Sequence, residues 1–171
     1  MFGKEHLKRM ANSAKHFGFK FSYPQITPKQ DGILRLLLNK NGEITEEYKP
    51  LIESKTNKIS ISPIKTNSQN DFLYHKTTYR PWYHDSYKKI ANEDIYDEIF
   101  FNEKGELTEG ARSNIILQIN GKFYTPPVKC GLLNGIFKKS MENLSEKILY
   151  KKDLENAEKI FCVNSVRGIV E

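Results

Sequence analysis

Four short segments of the sequence carry groups that could do chemistry together. Lys76 lies in the segment HKTT and offers an amine, while Glu109 lies in the segment LTEG and offers a carboxylate. The segment LNGI at 133–136 predicts a glycine turn that opens a helix, and Ser165 provides a hydroxyl directly after an apolar strand. These groups comprise a nucleophile, an acid that can hold a proton, and a cradle of amides and hydroxyl for a phosphate.

Pyridoxal phosphate chemistry uses this set of groups. The amine binds the aldehyde, the acid pairs with the pyridine nitrogen so that the ring accepts electrons, and the cradle binds the phosphate. Taken singly, each signal has a plainer explanation: a surface lysine, a turn glutamate, a helix entry, or a capping hydroxyl. The combination in this order favours a cofactor site.

The order of the motifs resembles the class IV aminotransferases. The sequence contains H-x-x-R at 6–9, K-T at 76–77, L-T-E-G-x-x-S-N-I at 107–115, L-x-G-I at 133–136 and N-S at 164–165. That family includes D-amino-acid and branched-chain aminotransferases and 4-amino-4-deoxychorismate lyase, and its cofactor is pyridoxal 5'-phosphate (PLP). The likeness extends from residue 5 to residue 170.

The resemblance implies a role for each motif. Lys76 would be the catalytic lysine that carries PLP as a Schiff base, and Glu109 would pair with the pyridine nitrogen. The other cofactor-binding residues would be Leu133 against the ring face and, around the phosphate, Arg9, the backbone amides of Ile136 and Phe137, and the Ser165 hydroxyl. Without the family, Arg9 would be read as a solvated helix arginine.

Within the family, segments 75–80 and 164–168 are most similar to the lyase, in particular to lyase domains fused to the enzyme that makes its substrate. The lyase converts 4-amino-4-deoxychorismate into 4-aminobenzoate and pyruvate, a step in folate biosynthesis. This substrate is a small dicarboxylate, so arginines are expected at the mouth of the site. Arg80, Arg112 and Arg167 are therefore predicted to bind substrate, with surface arginines as the alternative.

Two other functions stay open. One is a class IV aminotransferase acting on branched-chain or D-amino acids, and the other is a PLP-binding protein without catalysis. Family members carry further strands before the H-x-x-R helix, and in the lyase these include a threonine thought to protonate the departing group. The present sequence starts close to that helix. We therefore expect a shortened first domain, and cofactor binding that is better retained than catalysis.

The elements that must position these residues are mainly strands in the second half. Periodicity predicts helices at 5–17, 81–90 and 135–150, strands at 32–38, 58–64, 95–101 and 160–163, and a hairpin of 115–119 with 122–125 around Asn120-Gly121. Lys76 is expected at the end of a strand. The pattern predicts an α+β protein with a mostly antiparallel sheet.

The domain organisation follows from a polar linker at about 50–58. Residues 1–53 are expected to form a small, shortened α/β N-terminal domain, and residues 57–171 a larger PLP-binding, β-rich domain. The resemblance implies that this larger domain is a pseudo-barrel with flanking helices.

Composition excludes several other classes of function. The 171 residues are 38% hydrophobic and carry a net charge of +6, but the Lys and Arg residues form no dense block, so no nucleic-acid partner is expected. Cys130 and Cys162 form no CxxC motif, and no metal site is expected. No apolar run approaches the length of a membrane span, and the start lacks a signal-peptide core, so we expect a cytoplasmic protein without a membrane partner. A low hydrophobic content suggests a core that a partner subunit helps to cover, and the related enzymes are dimers, so a homodimer is expected.

Overall fold

The computed structural model describes residues 3–171, and the chain divides into a first compact unit that ends at Glu53 and a second that spans Ser54–Glu171. The first unit contains helix α1 (Gly3–Phe17) and strands β1 (Ile33–Leu38) and β2 (Ile44–Lys49). Helix α1 confirms the helix predicted at 5–17. It stops where Gly18 adopts a φ of +69°, a conformation that glycine takes without steric cost.

Strands β1 and β2 form an antiparallel hairpin in which Leu38 pairs with Ile44. The Asn39 side chain organises the turn, because its Oδ1 accepts hydrogen bonds from the backbone N–H groups of Asn41 and Glu43, both at 3.0 Å. Strand β2 was not predicted from the sequence, since its charged residues hide the alternation.

The second unit is built from strands, short α-helices and 3₁₀ turns. The strands are β3 (Ile59–Thr66), β4 (Asp97–Asn102), β5 (Leu107–Gly110), β6 (Asn114–Ile119), β7 (Lys122–Thr125), β8 (Leu144–Glu146), β9 (Lys159–Asn164) and β10 (Gly168–Val170). The helices are α2 (His84–Ala91), α3 (Ile136–Lys139) and α4 (Lys151–Glu155), with 3₁₀ turns at Asp71–Tyr74, Pro81–Tyr83 and Val128–Cys130. Across residues 3–171, every helix is too short or too polar to cross a membrane.

These strands form one eight-stranded sheet in the order β10-β9-β6-β5-β4-β3, with β7 beside β6 and β8 beside β7. The pairs β3–β4 and β7–β8 are parallel and the other pairs antiparallel, so the sheet is mixed and the predicted α+β class is confirmed. The sheet forks at β6. Asn114 pairs with Glu109 of β5, whereas Leu117–Ile119 pair with β7.

Two apolar clusters lie in this unit. The first is the main core and includes the buried residues Tyr96, Ile99, Phe101, Leu107, Ile115, Leu117, Leu149, Leu154 and Cys162. The second is smaller and contains Tyr83, Phe100 and Ala111. Because successive strand residues point to opposite faces, Ile99 and Phe100 of β4 enter different clusters. Burial of each large aliphatic side chain contributes about 1.5–3 kcal/mol to stability.

The helix predicted at 135–150 is wrong. Helix α3 ends at Lys139, Asn143 has a φ of 58°, and Leu144–Glu146 pair in parallel with β7. The prediction relied on apolar residues four positions apart, and this spacing also places residues on one face of a strand.

The strand expected before Lys76 is also wrong. Asp71–Tyr74 form a 3₁₀ turn, which begins where the Asn70 side chain accepts a hydrogen bond from the Phe72 N–H at 3.1 Å. Lys76 therefore follows a capped turn and an extended His75 rather than a strand end.

Candidate functional site

Glu109 of β5 is a buried carboxylate that accepts four hydrogen bonds. It is 3% exposed, and its Oε1 accepts hydrogen bonds from Arg80 Nη2 and the Tyr83 hydroxyl, both at 3.0 Å. Its Oε2 accepts from the Leu133 N–H at 3.1 Å and, at 3.5 Å, from Asn114 Nδ2. Four donors from three separate segments thus fix one orientation of the carboxylate.

The charges around Glu109 oppose the effect of its burial. Burial raises the pKa of Glu109, while the positive charges of Arg80 and Lys76 act to lower it. Burial and the Glu109 charge together raise the pKa of Tyr83 well above its usual value, so Tyr83 stays neutral and donates its proton. Burial would lower the pKa of Arg80, but Glu109 reverses this and the balance is a rise. For Glu109 burial is the larger effect, so the pKa of its carboxyl is raised despite the neighbouring cations.

Lys76 lies on an exposed segment near this acid. The segment is shaped by the Thr77 N–H, which donates to the His75 carbonyl at 3.0 Å, and by the Thr77 hydroxyl, which donates to the Tyr79 carbonyl at 3.1 Å. The Lys76 charge acts on Glu109 and lowers its pKa. The structure therefore brings together the amine and the acid that the sequence analysis paired.

The turn from Leu133 to Ile136 is tied to the same acid through Asn114. Asn114 Nδ2 donates to the Leu133 carbonyl at 2.9 Å, and the Leu133 N–H donates to Glu109. Gly135 precedes helix α3, and a Cβ added there would collide with Asn114 Oδ1. The first amides of a helix have no partner within the helix, so those of Ile136 and Phe137 are suited to an anion.

Ser165 begins the turn between β9 and β10. Asn164 Oδ1 organises this turn by accepting hydrogen bonds from the backbone N–H groups of Val166 at 3.0 Å and Arg167 at 2.9 Å. Helix α3 packs against β9, and the ring of Phe137 comes within 4.0 Å of the position that a Cβ on Gly168 would occupy. The Ser165 turn and the start of α3 are thus neighbours.

The three arginines expected to bind substrate lie in different surroundings. Arg80 is inside the domain on Glu109, with a side chain that is 5% exposed, rather than at an exposed mouth. Arg112 stacks on the Tyr96 ring, 4.2 Å from its centroid, so it packs on the main core and not on Glu109. Burial and the nearby Arg167 charge both lower the pKa of Arg112. Substrate binding by all three stays a prediction.

Arg9 belongs to the first unit. Its Nη2 lies 3.1 Å from Nδ1 of His6, one helical turn earlier, so the two named residues of the H-x-x-R motif contact each other. Phosphate binding by Arg9 stays a prediction.

Two residues of the cluster were not assigned from the sequence. One is Tyr83, whose buried hydroxyl donates to Glu109. Asn114 lies inside the quoted motif L-T-E-G-x-x-S-N-I, and its side chain joins β5, β6 and the Leu133 turn. The motif L-T-E-G-x-x-S-N-I could have identified Asn114. For Tyr83 the sequence offered only its position seven residues after Lys76.

Comparison with known proteins agrees with this geometry. A model of the family described as amino-transferase class IV matches residues 28–171. A Schizosaccharomyces pombe protein provisionally named aminodeoxychorismate lyase is 28% identical over 186 residues, which cover 96% of this chain and 80% of that protein.

Solved structures share the fold. A provisionally assigned amino-acid aminotransferase from Mesorhizobium loti matches with a TM-score of 0.88 and 26% identity, over 99% of this chain and 90% of that one. A provisionally assigned 4-amino-4-deoxychorismate lyase from Legionella pneumophila matches with a TM-score of 0.77 and 21% identity, over 98% and 75% of the two chains. With the family model covering most of the sequence, the chain belongs to the class IV aminotransferases, a family of PLP-dependent enzymes.

Proposed function

We propose that this protein is a PLP-dependent 4-amino-4-deoxychorismate lyase, which forms 4-aminobenzoate and pyruvate for folate synthesis. The observation that carries the proposal is the likeness to the Schizosaccharomyces pombe protein over 96% of this chain. The lyase-like segments 75–80 and 164–168 add to it, because they contain Lys76, Arg80 and Ser165.

The residues present fit a pyridoxal ring and its phosphate. A pyridine nitrogen needs a fixed acid, and Glu109 is buried with its orientation set by four donors. An aldehyde needs an amine close to that acid, and the Lys76 charge acts on Glu109. A phosphate is suited to the start of a helix, and Gly135 precedes helix α3 at a point where a larger residue would collide with Asn114.

Each residue would hold one part of the cofactor. Lys76 would bind the aldehyde carbon, Glu109 would hold the proton of the ring nitrogen, and Leu133 would lie against the ring face. The phosphate would be bound by the Ile136 and Phe137 amides, the Ser165 hydroxyl and the Arg9 guanidinium. Bound PLP would supply an aldehyde that captures the substrate amine and a protonated ring that accepts electrons.

The chemistry left to the chain is proton transfer and positioning. Lys76 Nζ, as a free amine, would take the proton from the substrate C4 as a general base. Glu109 would hold a proton on the ring nitrogen. The C–O bond to the enolpyruvyl group then breaks, the substrate ring becomes aromatic, and the enolpyruvate takes up a proton to become pyruvate.

The substrate carboxylates would be bound by arginines outside the Glu109 cluster. Arg112 and Arg167 carry like charges that act on each other, and Arg112 Nε is buried without a hydrogen-bond partner among residues 3–171. A dicarboxylate would neutralise this local excess of positive charge. Arg80 is already occupied by Glu109.

A product assay tests the proposed reaction. PLP-loaded protein is mixed with enzymatically generated 4-amino-4-deoxychorismate, and 4-aminobenzoate is followed by its fluorescence. We expect product without any added keto acid, because aromatisation drives release and no second amino acceptor is needed. Protein that binds PLP but forms no 4-aminobenzoate would contradict the lyase assignment.

The second candidate function is an aminotransferase acting on branched-chain or D-amino acids. It is favoured by the match to the Mesorhizobium loti structure, which covers 90% of that chain at 26% identity. This activity requires an α-keto acid, so glutamate formation from 2-oxoglutarate and an amino-acid panel distinguishes it from the lyase. Transamination without 4-aminobenzoate formation would move the assignment to this candidate.

The phosphate ligands give a prediction on cofactor affinity. Arg9→Ala should weaken PLP binding by about 1.5–3 kcal/mol, since a charged hydrogen bond is lost, and Ser165→Ala by about 0.5–1.5 kcal/mol. The dissociation constants can be measured by titrating cofactor-free protein with PLP and following absorbance.

Matched controls separate these effects from general damage. Arg35→Ala removes an arginine of the first unit whose ion pair with Glu47 is solvent-exposed, and Ser145→Ala removes an exposed hydroxyl of β8. Both should leave PLP affinity unchanged. An unaltered dissociation constant in Arg9→Ala would remove Arg9 from the phosphate site.

A further inference from the structure

The ion pair between Arg80 and Glu109 is a feature that cofactor binding alone does not require. The two side chains are 5% and 4% exposed, and Arg80 Nη2 lies 3.0 Å from Glu109 Oε1. Tyr83 donates to the same oxygen, and the Arg80 guanidinium carbon lies 4.8 Å from the centroid of the Tyr83 ring. Arg80 is thus clamped between an acid and an aromatic ring.

A buried ion pair contributes little net stability, because removing two charges from water offsets their attraction. Its other effect is on protonation. A buried carboxylate without a cation takes up a proton, since burial penalises the charged form. An arginine keeps its charge in almost any protein environment, so it can hold a neighbouring acid ionised.

The hydrogen bonds also distinguish the two oxygens of Glu109. Oε1 has two donors at 3.0 Å, from Arg80 and Tyr83. Oε2 has one at 3.1 Å, and its second, from Asn114, is at 3.5 Å. A carboxylate oxygen can accept about two good hydrogen bonds, so acceptor capacity remains on Oε2.

We propose that Arg80 is a positioning residue that favours the ionised form of Glu109 and saturates its Oε1, which leaves Oε2 as the oxygen available to the ring nitrogen of the cofactor. This inference rests on the proposed site and deepens it. In this role Arg80 acts through Glu109. The same contact explains why it is inside the domain, although its sequence position suggested the mouth of the site.

Other titratable groups also act on Glu109. Lys76 does so from the loop after the 3₁₀ turn, Lys138 from helix α3, Tyr83 from the turn before α2, and Tyr87 from α2 itself. Lys138 is paired with Glu146 at 3.6 Å. Among the cations named, Arg80 is the one whose ion pair with Glu109 is closed at 3.0 Å, so its removal should have the largest effect on the acid.

The experiment is a pH titration of the Glu109 carboxyl in cofactor-free protein. Glutamate labelled with ¹³C at the side-chain carboxyl is incorporated, and the Glu109 resonance is assigned as the one lost in Glu109→Gln. In Arg80→Met the titration midpoint should move up by at least about one pH unit, a tenfold gain in proton affinity. Arg80→Lys keeps the charge and should return most of the midpoint toward that of the unchanged protein.

A second variant keeps the test valid if Arg80→Met fails to fold. Tyr83→Phe removes one neutral donor from Oε1 and should raise the midpoint in the same direction by a smaller amount. Equal midpoints in the unchanged protein and in every folded variant of Arg80 and Tyr83 would overturn the proposal. The measurement needs neither PLP nor substrate, so its failure is distinct from a failure of the lyase assignment.

Discussion

Lys76→Ala should abolish covalent attachment of PLP and reduce product formation to background. The change removes the amine that binds the aldehyde and the base that moves the substrate proton, and the proton transfer alone contributes about 10²–10⁴-fold. Two measurements check it. The absorbance band of lysine-bound PLP should disappear, and mass spectrometry after borohydride reduction should find no cofactor adduct.

The control for this change is Lys122→Ala, which removes an exposed lysine of β7 in the same unit. It should keep both the absorbance band and the reduced adduct. An adduct on another lysine in the unchanged protein would show that the amine of this site has been assigned wrongly.

Glu109→Gln should leave PLP bound but lower turnover by orders of magnitude. Glutamine cannot hold a proton on the ring nitrogen, and an unprotonated ring is a poor electron acceptor. The substitution also leaves Arg80 buried without its counter-charge, so we expect a loss of about 3–5 kcal/mol in the free energy of unfolding. Turnover is measured with saturating PLP at a temperature where the variant stays folded, and stability by urea unfolding.

Glu98→Gln provides the matched control. Glu98 is 3% exposed and accepts hydrogen bonds from the Ser86 hydroxyl at 2.6 Å and from Lys89 Nζ at 2.7 Å, but it is not in the Glu109 cluster. The Glu98→Gln variant should be less stable than the unchanged protein but should not show the large fall in turnover. Near-normal turnover in Glu109→Gln would contradict the role of Glu109 as the partner of the ring nitrogen.

The parts of the fold that the sequence predicts are those set by local chemistry. Asn120 and Gly121 both have positive φ, 51° and 70°, as a two-residue hairpin turn requires, and β6 and β7 flank them. Helix α1 likewise ends at Phe17, directly before Gly18 with its positive φ. Strand β8 was missed because its pairing with Phe123, Tyr124 and Thr125 is a tertiary contact that the periodicity of 135–150 does not contain.

The candidate site was predictable to the same extent. Motifs singled out Lys76, Glu109, the Leu133 turn and Ser165 as one group. In the structure the Leu133 N–H donates to Glu109 and the Lys76 charge acts on it. The Arg80 contact was not predictable, because an arginine four residues after the lysine can point outward or inward. The direction of the Arg80 side chain is set by the position of β5 against the 3₁₀ turn at Pro81–Tyr83.

Asn114 also limits how the sequence can diverge. Its Oδ1 occupies the space that any side chain at 135 would need, while its Nδ2 supports the Leu133 carbonyl at 2.9 Å. An alanine at 135 becomes acceptable only after residue 114 has shortened, and a shortened 114 gives up the support of the turn. Positions 114 and 135 are therefore expected to covary: among related sequences they should be substituted together or stay unchanged together.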